Sequence, residues 1–298
     1  MHSVLLILPD FGLILLGLLL RRFLIQEAHF WAGLEKLVYF VFFPALLFYA
    51  LARSPIDFAA AAPLLASGVA SMLCGMLLGL FARPLFRCPP MVFASQFQGA
   101  FRFNSYIGLA VAGALHGPAG VAAMGMLVGS MVPLANLAAV WMLARHANGR
   151  LARELLRNPL IHATLAGLAF NLAGLALPPP AGVFLGHLAE AAITLGLLAV
   201  GAALRLRGHS AAHGQGAYLI AVKLLAVPAV SFFVARALGL GGVYFDTALL
   251  FAALPTATSA YILAVRMGGD GPGTAWLISA NTLAAMLTLP LWLSLIAV

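Results

Sequence analysis

Residues 100–110 read AFRFNSYIGLA. Arg102, Asn104, Ser105 and Tyr106 stand there almost side by side, between long apolar runs. Those runs set the frame. Of 298 residues, 63% are hydrophobic and 8% are charged, with a mean hydropathy of +1.06. A soluble domain carries about a quarter charged residues. Apolar stretches near twenty residues recur along the chain, the length that crosses ~30 Å of hydrocarbon as a helix. A membrane β-barrel shows short alternating segments instead. The fold class is therefore an all-α polytopic membrane protein.

Ten spans are predicted, at about 3–20, 31–52, 58–82, 91–115, 118–144, 159–177, 183–204, 216–240, 244–266 and 274–297. The connections are short, so one transmembrane domain is expected: a first repeat over 1–144, a linker over 145–158 and a second repeat over 159–298. The linker RHANGRLARELLRN places Leu151, Leu155 and Leu156 on one side and reads as a short helix on the inner membrane face. The N-terminal MHSVLLILPDFGLILLGLLLRR has neither a basic leading region nor a small-residue cleavage site, and reads as the first span.

The basic residues give an orientation. With the N-terminus outside, eleven arginines fall inside: Arg21, Arg22, Arg83, Arg87, Arg145, Arg150, Arg153, Arg157, Arg205, Arg207 and Arg266. Two, Arg53 and Arg236, fall outside. Positive charge collects on the inner side of membrane proteins, so both termini are predicted outside. The same placement excludes nucleic acid as the partner behind the net charge of +8. Cys74 and Cys88 read as free thiols. Among the familiar motifs, zinc spacing, a P-loop and a nucleophile elbow are all missing, so no catalytic residue, metal or cofactor is expected and the chain is not read as an enzyme.

Ten spans divide as five plus five, and an odd number per half inverts one half relative to the other. The fourth span holds SYIGLAVAGALHGPAG (105–120) and the ninth SAYILAVRMGGDGPG (259–273). Each contains Ser, Tyr-Ile, Ala-Val and a Gly-Pro turn. The next span in each half carries an asparagine, Asn136 or Asn281. Inverted repeats are typical of secondary transporters.

The polar run of the fourth span is Ser95, Gln96, Gln98, Gly99, Arg102, Asn104 and Ser105; its counterpart in the ninth is LPTATSAY, with Pro255, Thr256, Thr258 and Ser259. A mid-span arginine costs ~2.5–3.5 kcal/mol on insertion scales, so it faces protein or water. A mid-span proline removes a backbone hydrogen bond, and freed backbone groups are tolerated only in a cavity or in protein. Two such spans in inverted halves point to a site made by discontinuous helices. Half-helix N-termini and Arg102 both favour an anion there. The bland alternative has Thr and Ser bonding their own helices and Arg102 paired with an acid.

On LVYFVFFPALLF (37–48), FRFNSYIGLAVAGALHG (101–117), RNPLIHATLAGLAFNLAG (157–174), LLAVGAALRL (197–206), ALPTATSAYILA (253–264) and LTLPLWLSL (287–295), the chain resembles the auxin efflux carrier family in its short bacterial form, over essentially its whole length. The resemblance implies two inverted five-helix repeats and a fold shared with bile-acid/sodium symporters. It implies a scaffold bundle and a transport bundle, with crossing broken helices 4 and 9 at the substrate site. It implies transport of organic anions across a bacterial inner membrane. Asn104 matches the asparagine that faces the substrate carboxylate, and Leu254-Pro255 matches the ninth-span Leu-Pro. The crossover prolines of the plant members are replaced here by Ala110 and Ala260, so the breaks would rest on Gly108, Pro255 and side-chain interactions. The long central loop of the plant members is absent.

The expected function is a secondary transporter of small organic anions, with Asn104 donating to a carboxylate, Arg102 supplying the field or a gate, and Ser105, Pro255, Thr256, Thr258 and Ser259 lining the site. For coupling, Glu190 or Asp10 could carry a proton, and Gln98, Thr256 and Asn281 could offer oxygens to sodium. The membrane potential alone is a third driving force, and the sequence leaves the three open, as it does a homodimer. The alternatives are a sodium-coupled symporter of larger amphipathic anions and a membrane sensor that no longer moves substrate. Lys223 is expected to snorkel inward or to pair with Glu190, and Asp246 and Asp270 to be solvated at span ends. Glu35, Lys36, His162 and His187 read as interfacial. GMLLG (75–79) would let the third span pack closely.

Overall fold

A computed structural model describes residues 2–53, 58–144, 159–204 and 213–295. The linker 145–158, Arg205, Arg207 and the side chains of Asp10 and Arg266 lie outside the described residues. All described regular structure is helical. Helix α1 (His2–Leu19) runs on through a π turn to Leu24. α2 (Ala28–Leu37) and α3 (Phe43–Arg53) form one rod joined by a π turn, Val38–Phe42. α4 (Phe58–Leu80) and the short α5 (Ala82–Phe86) follow. α6 (Pro90–Phe97) ends in a 3-10 turn, Gln98–Ala100, and α7 (Ser105–Ala144) resumes after it. α8 (Pro159–Leu172) and α9 (Pro179–Ala203) open the later part. α10 (His213–Ala221) joins α11 (Val227–Ala237) through a third π turn, Val222–Ala226. α12 (Gly242–Ala253), α13 (Ser259–Arg266) and α14 (Gly271–Leu293) complete the chain.

Among the described residues, six helical stretches are long and apolar enough to cross a bilayer: Ala28–Arg53, Ala61–Phe86, Pro90–Leu143, Pro179–Ala203, His213–Ala237 and Gly271–Leu293. The 54-residue Pro90–Leu143 is more than twice the ~20 residues of one crossing. Gly117, at φ 56°, interrupts its helical backbone just before Pro118. The left-handed conformation is open to glycine at no steric cost, and proline cannot continue the hydrogen-bond ladder. Polarity runs opposite to that of a soluble protein. Ser67, Ser71, Gln96, Gln98, Gln215 and Thr274 are buried, whereas Phe233, Leu287 and Leu291 are among the most exposed side chains. Apolar groups outward and satisfied polar groups inward suit a hydrocarbon solvent. The chain is an integral membrane protein.

The helices pack in two sets. α1, α3, α8 and α9 pack among themselves, with α1 on α9 and α3 on both α8 and α9. α4, α11, α12, α13 and α14 form the other set, and α7 touches both. The expected close packing of GMLLG holds in this second set. A Cβ on Gly75 would collide with the carbonyl of Ala100, so α4 can lie directly against the 3-10 turn that ends the α6 segment.

Candidate functional site

Two interruptions lie within apolar helical stretches. The first covers Phe101–Asn104, between the 3-10 turn and α7; the second covers Leu254–Thr258, between α12 and α13. They meet. The backbone N–H of Asn104 donates to the carbonyl of Pro255 at 2.8 Å. The hydroxyl of Thr256 donates to the carbonyl of Gly99 at 2.9 Å. Gln98 Nε2 donates to the carbonyl of Ala260 at 3.5 Å, and to that of Ser95 at 3.2 Å. Backbone groups freed by each break are thus satisfied by the other, as a low-dielectric interior requires.

The breaks differ in origin from the expectation. Ala110 lies inside α7, Ala260 inside α13, and Gly108 is helical rather than a breaking residue. A Cβ on Gly108 would stand 2.8 Å from Leu254 Cδ1 and 3.2 Å from Met124 Sδ. Gly108 therefore permits the second break to approach α7. Pro255 does sit in the second break, where its missing N–H leaves one less donor to satisfy.

Asn104 carries the local geometry. Its Oδ1 accepts from the backbone amides of Tyr106 at 3.0 Å and Ile107 at 3.3 Å, the arrangement of a helix N-cap. Its Nδ2 is buried and has no hydrogen-bond partner among the described residues. An unsatisfied buried donor costs roughly 1–3 kcal/mol, so the group is poised for an acceptor. At the other break, Thr258 precedes α13 without a side-chain cap. Thr258 is half-buried and Ser259 exposed, whereas Pro255 and Thr256 are buried at the contact between the breaks. Ser105 is half-buried at the start of α7.

Two buried cations flank the junction. Arg102 donates through Nη1 to Gln98 Oε1 at 2.7 Å and through Nη2 to Asn136 Oδ1 at 2.6 Å. Its hydrogen-bond partners among the described residues are amide oxygens, not the acid that the bland alternative required. Lys223 stands on the third π turn and donates from Nζ to the carbonyl of Ala252 at 2.7 Å. It is 2% exposed, so the expectation of a snorkelling side chain fails. Ala252 lies in the last turn of α12, where carbonyls lack helical partners and a cation is favoured. Pro228 explains the π turn: it has no N–H for Leu224, and Trp292 Nε1 donates to that carbonyl at 2.8 Å instead.

The coupling candidates separate. Glu190 is exposed on α9, which removes both the expected burial and the pairing with Lys223. Gln98 Oε1 is engaged by Arg102. Asn281 is fully buried on α14, and neither its Nδ2 nor its Oδ1 has a hydrogen-bond partner among the described residues. Asp270 caps α14 by accepting from Gly273 N at 2.9 Å, and Gln96 Nε2 reaches it at 3.4 Å. Asp246 is not solvated: it is 3% exposed, with its Oδ2 2.8 Å from His116 Nε2. Sequence reasoning passed over His116 and treated Asp246 as a span end. The available signal was an acid four residues inside an apolar run, GVYFDTALLF (242–251).

Comparison with known proteins places the chain among membrane transporters. A family model described as "Membrane transport protein" matches residues 142–293. The chain is 28% identical over 286 residues to a Rhizobium meliloti protein named "Putative malonate transporter", covering 88% of this chain and 86% of the relative. It is 26% identical over 289 residues to a Methanothermobacter thermautotrophicus protein named "Uncharacterized transporter", covering 94% of each. The chain therefore belongs to the membrane transport protein family of auxin efflux carrier type, and is a transporter rather than an enzyme.

Proposed function

We propose that this protein is a secondary carrier for small organic carboxylates. In this reading it crosses the membrane ten times in two inverted five-helix repeats, with both termini at the outer face of a bacterial inner membrane. The substrate binds where the breaks cross, and the two helix sets move against each other to give alternating access. One carboxylate oxygen takes the free Nδ2–H of Asn104, and the uncapped N-terminus of α13 faces the anion with its amides and its positive dipole end. Thr258 and Ser259 border that end, Ser105 borders the other, and Arg102 and Lys223 supply a positive field from behind each break. Asn104 is buried, so the carboxylate reaches it when the sets part.

The observation that carries this reading is the division of labour within one side chain. Asn104 Oδ1 is spent on the α7 cap, while Nδ2 has no hydrogen-bond partner among the described residues. The name of the Rhizobium relative makes malonate the first substrate to test. Of the oxygens considered for sodium, Gln98 Oε1 is already engaged by Arg102, whose positive charge opposes a second cation beside it. That favours a carrier working without sodium over a sodium-coupled symporter.

The test is counterflow in proteoliposomes loaded with unlabelled malonate. Labelled malonate should enter transiently above equilibrium, equally well with sodium or potassium outside. A larger amphipathic anion should not compete. Binding without any counterflow would reject the carrier and favour a sensor. Strict sodium dependence would favour the symporter.

A further inference from the structure

The pair His116–Asp246 has no part in the junction described above. Asp246 lies one turn into α12, the arm that enters the second break. His116 lies on α7, at the far end of the stretch that leaves the first break and immediately before the Gly117 interruption. Their side chains are 2.8 Å apart, with side-chain exposures of 4% for the aspartate and 16% for the histidine. The pair therefore stands in contact between the two arms that meet at the junction, and His116 Nε2 and Asp246 Oδ2 have no other partner among the described residues. Among the described residues Asp246 is the one acid counted as buried. Thr247, beside it, has a buried hydroxyl with no hydrogen-bond partner among the described residues.

We propose that His116 and Asp246 together form the proton-binding site through which this transporter couples to a proton gradient. The balance is simple. Neutral imidazole and carboxylate bear a net charge of −1; one added proton gives imidazolium–carboxylate, with none. A net charge within the membrane is costly, and intramembrane acids and histidines serve as proton relays for that reason. The arms move most readily when the pair is loaded, and the unloaded pair holds them back. The partial exposure of His116 gives the proton an entry side, while Asp246 stays covered.

Other titratable and charged groups stand on the packed elements. On α11, Arg236 lies over the rings of Phe232 and Phe245 at 4.7 and 5.9 Å. Lys223 binds the carbonyl of Ala252, near the opposite end of α12. α4 contributes Cys74, α12 itself Tyr244, and α14 no charged side chain. Against α7 stand Asp10 of α1, whose side chain lies outside the described residues, Arg53 and Tyr49 of α3, His162 of α8, and His187 and Glu190 of α9. α7 also carries Tyr106, which stacks on Phe43 at 4.5 Å. Arg53 is engaged with the hydroxyl of Tyr49. Among these, the Asp246 carboxylate is the acid in contact with a base.

Two measurements test the proposal on Asp246→Asn and His116→Gln, each first checked for a monodisperse profile. The first needs no substrate: an infrared difference spectrum between acidic and alkaline pH. The wild type should show carboxylate and imidazole changes from this pair, the carboxylate change lost in Asp246→Asn and the imidazole change lost in His116→Gln. A spectrum unchanged in both variants would overturn the site. The second is malonate accumulation in proteoliposomes under an imposed pH gradient. The wild type should accumulate malonate; Asp246→Asn, with no carboxylate, should keep malonate exchange but lose gradient-driven accumulation, and His116→Gln, left with a lone carboxylate, should lose accumulation and exchange more slowly. Wild-type accumulation in Asp246→Asn would overturn the coupling role, as would wild-type exchange that ignores the gradient. If malonate neither binds nor exchanges in the wild type, the carboxylate reading fails, and the infrared arm still decides the proton site. If Asp246→Asn does not fold, His116→Gln serves in both arms.

Discussion

At the first break the helix that resumes has its leading amides capped by Asn104, and the nearby cation, Arg102, is bound by two amide oxygens. At the second break the helix that resumes at Ser259 has no side-chain cap, and the nearby cation, Lys223, sits on a carbonyl of the helix that has just ended. One chemical problem, an interrupted helix within the membrane, has two solutions. The first break caps its resuming helix with its own side chain and leaves one amide donor over. The second leaves its N-terminal end without a side-chain cap and relies on a lysine from another helix. In the proposed carrier this difference would divide the roles: the first break offers a fixed, directional donor, and the second a positive helix end.

The strongest way to break the comparison is to give the second break the cap that it lacks. Thr258→Asp should stabilise α13 by about 0.5–1 kcal/mol in thermal unfolding, since N-cap acids are favoured. It should also abolish malonate counterflow, because its carboxylate takes the substrate's place. Unchanged counterflow would show that the α13 N-terminus is not used. Asn104→Ala tests the first break and should remove both functions of that side chain. Cap loss should cost about 1 kcal/mol of stability, and uptake at low malonate should fall roughly tenfold or more with the loss of a hydrogen bond to a charged group. Membrane insertion should be normal.

Lys223→Met tests the second break's dependence on its lysine. Removal of a charged donor from the end of α12 should lower stability by about 1.5–3 kcal/mol, read as a lower unfolding temperature in detergent. A stability equal to wild type would mean that the desolvation of the ammonium cancels its bond. The smallest effect is expected for Thr256→Val, which deletes one neutral hydrogen bond to Gly99. It should cost about 1 kcal/mol and reduce counterflow only a few-fold.

The sequence alone conveyed the helical membrane class and where the two polar interruptions fall, because both rest on local composition. The spans predicted at 31–52 and 183–204 lie close to Ala28–Arg53 and Pro179–Ala203. The causes of the breaks were less legible. Gly108 looked like a breaker but serves close approach to Leu254, which depends on a contact 146 positions away and leaves no local mark. The 3-10 turn at Gln98–Ala100 and the Asn104 cap produce the first break. Lys223 was read as snorkelling because its partner is a backbone carbonyl, which carries no sequence signal. Asp246 was read as solvated because its closeness to the predicted span boundary outweighed its apolar neighbours, and its partner His116 comes from the other half. Glu190 shows the converse: a lone acid in an apolar span that lies exposed on α9. One sequence cannot say which face of a helix turns inward when the whole helix is apolar.

The central claim is that Asn104 uses its oxygen for the fold and its nitrogen for the substrate. Asn104→Asp separates the two, since it keeps an oxygen for the α7 cap and deletes the amide donor. Equilibrium binding of radiolabelled malonate to the purified variant, with unfolding temperature measured alongside, is the direct test. The account predicts a cooperative unfolding transition, somewhat lowered by the added buried carboxylate, and binding weakened by at least about tenfold. Wild-type affinity in a normally folded Asn104→Asp protein would contradict it.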